Sequence, residues 1–463
     1  MPGHARASRK PLHRSPWMSL NLLRRPSLFL CLILLLIAPV LVSAQEDNSL
    51  GVVVPRRTTE PTLIAVPSFG VDDNSPLEFD TLPRIVRRDL ELSGFFKIHP
   101  NQREVSRLNL LDVQKRTVDI PAWQALGVQH YLMADISRPQ AGTLRARVLL
   151  YDIPSGKMVM SRYIDGPETN VRLLAHRIAD EVVRFLKFTD GIAQTQLIYI
   201  AEQIPGIKEV YIMDADGFNQ RPLTRYNNIC TTPVWGANGT EFYYTSYHGN
   251  RANIYGQQLS SGQTWTIAAY GGTNHSPSWN ASRQQVLMVL SKDGGSELYT
   301  AGRDGQDARR LTRTKANEAS PCWSPDGSKI AFASNEAGGV QIFVANADGS
   351  NRKRLTTRGS WNDAPSWSPD GTRIAFVARI DNTHDIFTIA ADGNPSSVRR
   401  LTQGQGNNES PSWAPNSRHL TFSSDRSGQW QVYIMLDDGS NQIALTSQGR
   451  NTQPAWGPLP AAQ

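Results

Sequence analysis

The chain has 463 residues, 39% hydrophobic and 19% charged, a balance that excludes a disordered chain and allows two or three domains with real cores. Its formal charge of +7 suggests a basic protein, but residues 1–44 hold six of the 48 basic residues and none of the 41 acids. Removing those six leaves 42 against 41, so the charge gives no support to nucleic-acid binding.

Residues 1–44 have the order of a secretory signal peptide. A positive stretch ends at Arg24-Arg25, an apolar run follows from Leu28 to Val42, and small residues close it at Val42-Ser43-Ala44. Cleavage is expected after Ala44. An uncleaved anchor is the alternative, since the run approaches the short limit for spanning; Pro39 and the small-residue end favour cleavage. Met1 and Met18 are both candidate starts. Cys31 lies inside the apolar run and not at the cleavage site, which argues against a lipid anchor. Residues 45–60 read as an extended segment.

Residues 61–188 read as a small mixed α/β domain. Pro61–Phe69, His130–Ser137, Leu144–Ile153 and Lys157–Ile164 are predicted strands. Leu82–Leu92 has helical spacing and stops at Ser93-Gly94, and Asn170 is placed to cap a helix over Val171–Leu186. Phe188–Gln194 is the expected linker.

From Thr195 onward the chain repeats. Pro-x-Trp recurs with tryptophan at 235, 279, 323, 367, 413 and 456, at intervals of 44, 44, 44, 46 and 43 residues. Leu-Thr falls in phase at Leu223, Leu311, Leu355, Leu401 and Leu445, as do Asp-Gly pairs from Asp216 to Asp438. In the third copy Pro321–Trp323, Lys329–Ser334, Gln341–Ala345 and Arg354–Thr356 read as four strands, joined in part by Ser-Pro-Asp-Gly and Asp-Gly turns. Four strands per 40–45 residues is the period of a propeller blade. The region begins in the second-strand position and ends on a first strand. The expected fold is thus an α/β N-terminal domain followed by an all-β six-bladed β-propeller over 195–459, closed by one C-terminal strand plus three N-terminal strands. The tryptophans are expected to pack between blades.

Chemistry is hard to find. There is no G-x-S-x-G elbow, no H-x-H and no H-E-x-x-H. Cys230 and Cys322 make no C-x-x-C spacing and read as small buried residues, with a disulfide between them as the alternative. Asp214-Ala-Asp216-Gly217 looks like part of a calcium loop but falls where a hairpin turn belongs. No cofactor or metal is indicated, although a polar channel leaves room for a cation. The loops that vary between copies are those before each tryptophan and those between second and third strands. They hold His248, Arg251, His275, Asn317, Glu318, Asn362, Asp363, His384, Asn407, Asn408 and Glu409. A varied polar loop face around a channel mouth is where a rigid scaffold carries recognition. Asn also caps loops through its own backbone bonds, which leaves a purely structural role open.

The chain resembles the TolB family of the Tol–Pal system. "DADGFNQ" (Asp214–Gln220) with the serial "PxWSPDG" copies carries the resemblance, and "AVPSF" (Ala65–Phe69) and "AWQALGVQHYLMADI" (Ala122–Ile136) fit the family's first domain. Propeller peptidases share the blade but not that domain. The resemblance implies a non-enzymatic, monomeric adaptor of the periplasm, peripheral to the outer membrane, that supports envelope integrity and constriction at division. It implies that the loops before the tryptophans bind the lipoprotein Pal near the channel mouth. It also implies that the first mature residues, here Gln45, Glu46, Asp47, Asn48, Ser49 and Leu50, reach TolA and other Tol components. A propeller that binds a peptide or glycan in its channel, or a propeller hydrolase, are the competing readings.

Overall fold

The structure is a computed structural model that describes residues 46–47, 52–53, 60–71 and 81–460. The signal peptide with Cys31, and the expected TolA contacts Gln45, Asn48, Ser49 and Leu50, lie outside the described residues; Glu46–Asp47 pairs with Val52–Val53 as a short antiparallel ladder. Among the described residues no helix is long and apolar enough to cross a membrane.

The first domain is one mixed sheet covered on both faces. Thr62–Ala65 lies between Phe96–Ile98 and His130–Gln140, parallel to both, and Thr143–Asp152 and Lys157–Pro167 extend the sheet antiparallel. Helix α1 (Thr81–Leu92), α2 (Gln102–Lys115), α3 (Ile120–Ala125) and α4 (Val171–Lys187) surround it. α1 and α4 bury Leu82, Val86, Leu90, Leu174, Ile178 and Val182 against Ile64, Leu132 and Val148. The Asn170 side chain accepts from the Leu173 amide, capping α4 as expected. α2 and α3 are additions to the sequence reading. α2 buries little beyond Val105 and Leu108 and leaves Leu110 and Val113 exposed, so its apolar stripe is blurred.

The second domain is six four-stranded antiparallel sheets. Blades 1 to 5 cover residues 230–268, 274–310, 318–354, 362–400 and 408–444. In the sixth, Arg450–Trp456 pairs with Gln196–Ile204, which continues into Ile207–Asp214 and Arg221–Pro222. The closure is as the repeat phase requires. The repeat tryptophans sit at blade seams: Trp323, Trp413 and Trp456 are buried, and Trp235, Trp279 and Trp367 partly so. Trp413 Nε1 donates to the Ser366 carbonyl at 3.1 Å, tying blade 5 to blade 4. Cys230 and Cys322 are free thiols, both pushed up to about 12 by burial.

The α/β domain docks on the turn face of the propeller, at blades 5 and 6. The last carbonyls of α1 accept from the propeller, Glu91 from Asn441 Nδ2 at 3.2 Å and Leu92 from His419 Nε2 at 3.1 Å. Gly94 ends the helix with φ 67°, and a Cβ there would meet Leu436 of blade 5 at 2.6 Å. From α4, Arg172 bonds both Asp214 and Asp216, and His176 Nδ1 lies 2.7 Å from Asp89 of α1. The Asp-Ala-Asp-Gly segment is therefore more than a hairpin turn. Two further hydrogen bonds fold the linker back, from the amides of Ala193 and Gln194 to Asp180.

Burial pulls the His176 pKa down, but Asp214 and Asp89 outweigh it and hold the ring at about 10, so it is a cation at neutral pH. Burial pushes Asp89 up to about 7 against the pull of His176. A base raised in this way contributes fully below its ordinary 6.5 and loses the contribution as pH climbs through about 10. Asp89 acts between 3.8 and about 7, so most of the His176 window lies above it. In denaturant titrations the stability gap between the wild type and His176→Gln should therefore narrow from neutral pH toward about pH 10. A gap that stays constant would mean the ring is neutral throughout. Separately, Trp323→Ala removes a ring packed on Leu287, Leu298 and Phe332 and should cost about 3–5 kcal/mol. A loss well under about 1 kcal/mol would show that the seam does not depend on it.

Candidate functional site

The innermost strand of each blade starts three or four residues ahead of its Pro-x-Trp unit, as in Glu318–Trp323 and Asn362–Trp367, so much of the expected loop is strand. At the same point in every inner ladder the register shifts, for example between Asp363 and Ser366 and between Glu409 and Ser412. The residue before the proline has positive φ in all six: Thr232, Ser276, Ser320, Ala364, Ser410 and Gln453, between 46° and 55°. None is glycine. Proline biases its predecessor toward extended backbone, and a β-branched Thr at positive φ is a true outlier. Each site stores roughly 1–3 kcal/mol that the surrounding sheet must hold in place.

These bulges wall a channel of about 460 Å³. Its lining is uneven. Asp363, His384, Glu409 and Trp361 gather on the side of blades 4 and 5. His384 Nδ1 lies 2.6 Å from Glu409 Oε1, and its ring stacks on Trp361 with centroids 4.9 Å apart. Burial raises the Asp363 pKa, as does the charge of Glu409, while its bond from the Ala364 amide lowers it. The site thus pairs an imidazole–carboxylate couple and an indole with a partly buried carboxyl group. Among the described residues no hydroxyl or thiol meets the second ring nitrogen of His384, so the nucleophile–base contact of acyl-transfer chemistry is lacking there.

The sequence-predicted residues fall into four groups. Asp363 and Glu409 line the channel, and Asn407 frames its rim, its Oδ1 accepting from the His384 amide and its Nδ2 bonding Asp425. His275 is half-buried on the inner strand of blade 2, with burial lowering its pKa. His248, Arg251 and Asn317 are exposed farther out, His248 stacked on Tyr226 at 4.3 Å. Glu318, Asn362 and Asn408 correct the expectation of exposed loop residues. All three are buried because they pair in the inner ladder, and their side chains bond internally: Glu318 with Arg352, Asn362 with Gln341, Asn408 with Asp385 and Arg426. Sequence reasoning missed Trp361 and the pre-proline ring. Trp361 had a signal: it is a tryptophan out of phase with the repeat.

Asp89, His176 and Asp216 bring ligand atoms within 4.8 Å of one another, a spacing that suits a metal. Arg172 and the His176 cation already balance the carboxylates there, so the cluster reads as a latch between domains.

The fold and the channel define a two-domain β-propeller protein, with an α/β domain on one face and a polar channel opening on the other. A family model described as the TolB beta propeller domain matches residues 185–460, more than half of the chain, and another described as the TolB amino-terminal domain matches 50–159. The chain belongs to the TolB family. It is 28% identical over 245 residues to the Tol-Pal system protein TolB of Rickettsia canadensis (strain McKiel), covering 51% of this chain and 54% of that protein. To the same-named protein of Desulfosudis oleivorans it is 29% identical over 292 residues, covering 62% and 64%. The chain thus spans about half to under two thirds of the curated relatives it matches. The crystal structure of TolB from Acinetobacter baumannii superposes with a TM-score of 0.75 at 23% identity, over 86% of this chain and 97% of that one, a likeness of fold.

Proposed function

We propose that the chain is a non-enzymatic periplasmic adaptor of the Tol–Pal system. In this reading it holds the lipoprotein Pal at the channel mouth, engages TolA through residues 45–50, and so supports outer-membrane integrity and envelope constriction at division. It acts as a monomer without a cofactor, peripheral to the outer membrane through Pal. The observation that carries this reading is the division of faces. The α/β domain is bonded to the turn face, while the opposite mouth presents a preset Trp361–His384–Glu409–Asp363 cluster on strained, rigid backbone. Rigid polar groups around an open concavity suit recognition of a folded partner with little ordering cost.

The test is binding to purified Pal by calorimetry. The double variant Asp363→Asn, Glu409→Lys alters the mouth without touching the buried Asn408, and should weaken Pal at least tenfold, about 1.4 kcal/mol. Ser328→Lys and Thr372→Lys, exposed on the turn face, should leave binding unchanged. Loss of binding in these controls with full affinity in the double variant would reverse the assignment of faces. Deleting residues 45–50 should spare Pal and weaken TolA, since a short polar segment outside both cores carries little stability. Unchanged TolA binding after the deletion would move that contact elsewhere.

A further inference from the structure

Blades 3, 4 and 5 carry the same stacked pair of rings on their second and third strands: Phe332–Phe343, Phe376–Phe387 and Phe422–Tyr433, with centroids 6.0, 5.7 and 5.7 Å apart. In blade 3 the Arg352 guanidinium covers the pair, 5.1 Å from Phe332, and donates to the buried Glu318 carboxylate. In blade 5 Arg426 covers it, 4.6 Å from Tyr433, and donates to Asn408 Oδ1 at 2.7 Å. Strand register makes Asn362 and Ile380 the blade 4 counterparts of Asn408 and Arg426. Counting back from Leu355 and Leu401 makes Val398 the counterpart of Arg352. Aliphatic side chains thus stand at both positions from which the neighbouring blades send an arginine.

A cavity of about 320 Å³ lies there, between blades 3 and 4. Phe376 and Phe387 form its floor and Leu355, Ile380 and Val398 its walls, while exposed Thr357 and Ser396 line its opening. The opening is edged by the short turn Pro395–Ser397, in the copy with the longest tryptophan interval. Asn362, 2% exposed, lines the cavity. Its two Nδ2 hydrogens go to Gln341 Oε1 at 3.1 Å and the Arg358 carbonyl at 3.0 Å, which fixes the amide orientation. Among the described residues no donor meets its Oδ1, the atom whose counterpart in blade 5 accepts from Arg426. Arg400 comes within 6.0 Å of Phe387 but is bonded to Asp385.

We infer that this cavity receives a guanidinium from outside the chain, the arginine side chain of a partner segment. It stacks on Phe376 and Phe387 and donates to Asn362 Oδ1, completing the arrangement that Arg352 and Arg426 complete from within. Arg358 lines the cavity with its side chain exposed and engaged in an interaction of its own. The site is separate from the channel, so it stands whether or not Pal binds the mouth.

The test is methyl NMR of the protein, labelled at isoleucine and leucine, titrated with N-acetyl-arginine amide and, in parallel, with N-acetyl-lysine amide and indole. The arginine probe should shift the Leu355, Ile380 and Ile389 methyls saturably and more strongly than the lysine probe. Ile380→Arg, built on the blade 5 pattern, and Val398→Arg, built on the blade 3 pattern, should each remove the shifts at the remaining methyls while melting within a few degrees of the parent. The absence of a saturable shift overturns the proposal, as does an equal response to lysine or saturation by indole at lower concentration. So do shifts that persist in both variants. If both variants melt far below the parent, the cavity does not accept a guanidinium and the proposal fails.

Discussion

The pairing of Arg450–Trp456 with Gln196–Ile204 is the constraint on which the rest of the molecule depends. A blade with an open inner edge would expose a row of unpaired amides and carbonyls, and five blades alone would leave two such faces uncovered. The closing strand brings side-chain locks with it. Trp456 Nε1 donates to Thr195 Oγ1 at 2.8 Å, and Trp235 Nε1 donates to the Ala455 carbonyl at 3.0 Å. Trp456, Leu197 and Tyr199 of this blade share one cluster with Val432 of blade 5 and Leu92 of α1. The ring closes against the same surface that receives the α/β domain, so the two domains are anchored where the chain meets itself. The ladder joins residues 248 to 259 positions apart, from Arg450↔Glu202 to Trp456↔Leu197, so closing the ring costs the loop entropy of nearly the whole propeller.

Closure also explains how the channel tolerates its backbone. Six inner strands converge on one axis, and the bulge before each proline turns the strand while leaving ladder bonds on either side, as at Asp363↔Val377 and Ser366↔Ala375. An isolated strand would relax the positive φ at Thr232 or Ser320. In the ring each bulge is clamped by its own blade and by the next, for example through the Thr232 amide to Gln453 Oε1 at 2.8 Å and the Ser276 amide to Thr245 Oγ1 at 3.2 Å. The strain and the stiffness of the mouth therefore have one origin. A mouth of this kind keeps Asp363, His384 and Glu409 in place without a partner to order them.

The features that the sequence displayed were those set by local, repeated rules. The phase of Pro-x-Trp, Leu-Thr and Asp-Gly follows from turn chemistry and seam packing, which act within one blade or between neighbours, and it gave the blade count and the mode of closure. The helix over Val171–Leu186 was legible because its apolar positions recur on one face and Asn170 caps it. What stayed hidden depends on contacts remote in sequence. α2 shows only a blurred stripe, since its Leu110 and Val113 face outward. Glu318, Asn362 and Asn408 looked like loop residues because polar side chains rarely mark a buried inner strand; partners such as Gln341, on a strand of the preceding blade, and Arg426, in a turn, lie 21 and 18 residues away. The bulges left no composition signal at all, being written in Thr, Ser, Ala and Gln instead of Gly. Asp214 and Asp216 read correctly as a turn, yet nothing near them announced Arg172, 42 and 44 residues earlier on α4.

That latch distinguishes one Asp-Gly turn from the other four. At Asp348 and Asp438 the aspartate bonds Ser350 and Ser440 of its own turn, Asp348 exposed and Asp438 half-buried. Asp216 is instead buried, and its charge is met by Arg172, with the His176 cation and Asp89 alongside. Separating the domains would leave Asp216 on the propeller without the Arg172 and His176 cations that offset its burial, while Asp89 would keep His176 on its own domain. A buried pair broken on one side costs far more than its net contribution when whole, about 3–5 kcal/mol by general experience with such pairs. The arrangement thus does little for stability as a sum of attractions and much for orientation as a penalty on disruption. It fixes the α/β domain to the turn face of the closing blade, and so decides which face of the propeller remains open to a partner.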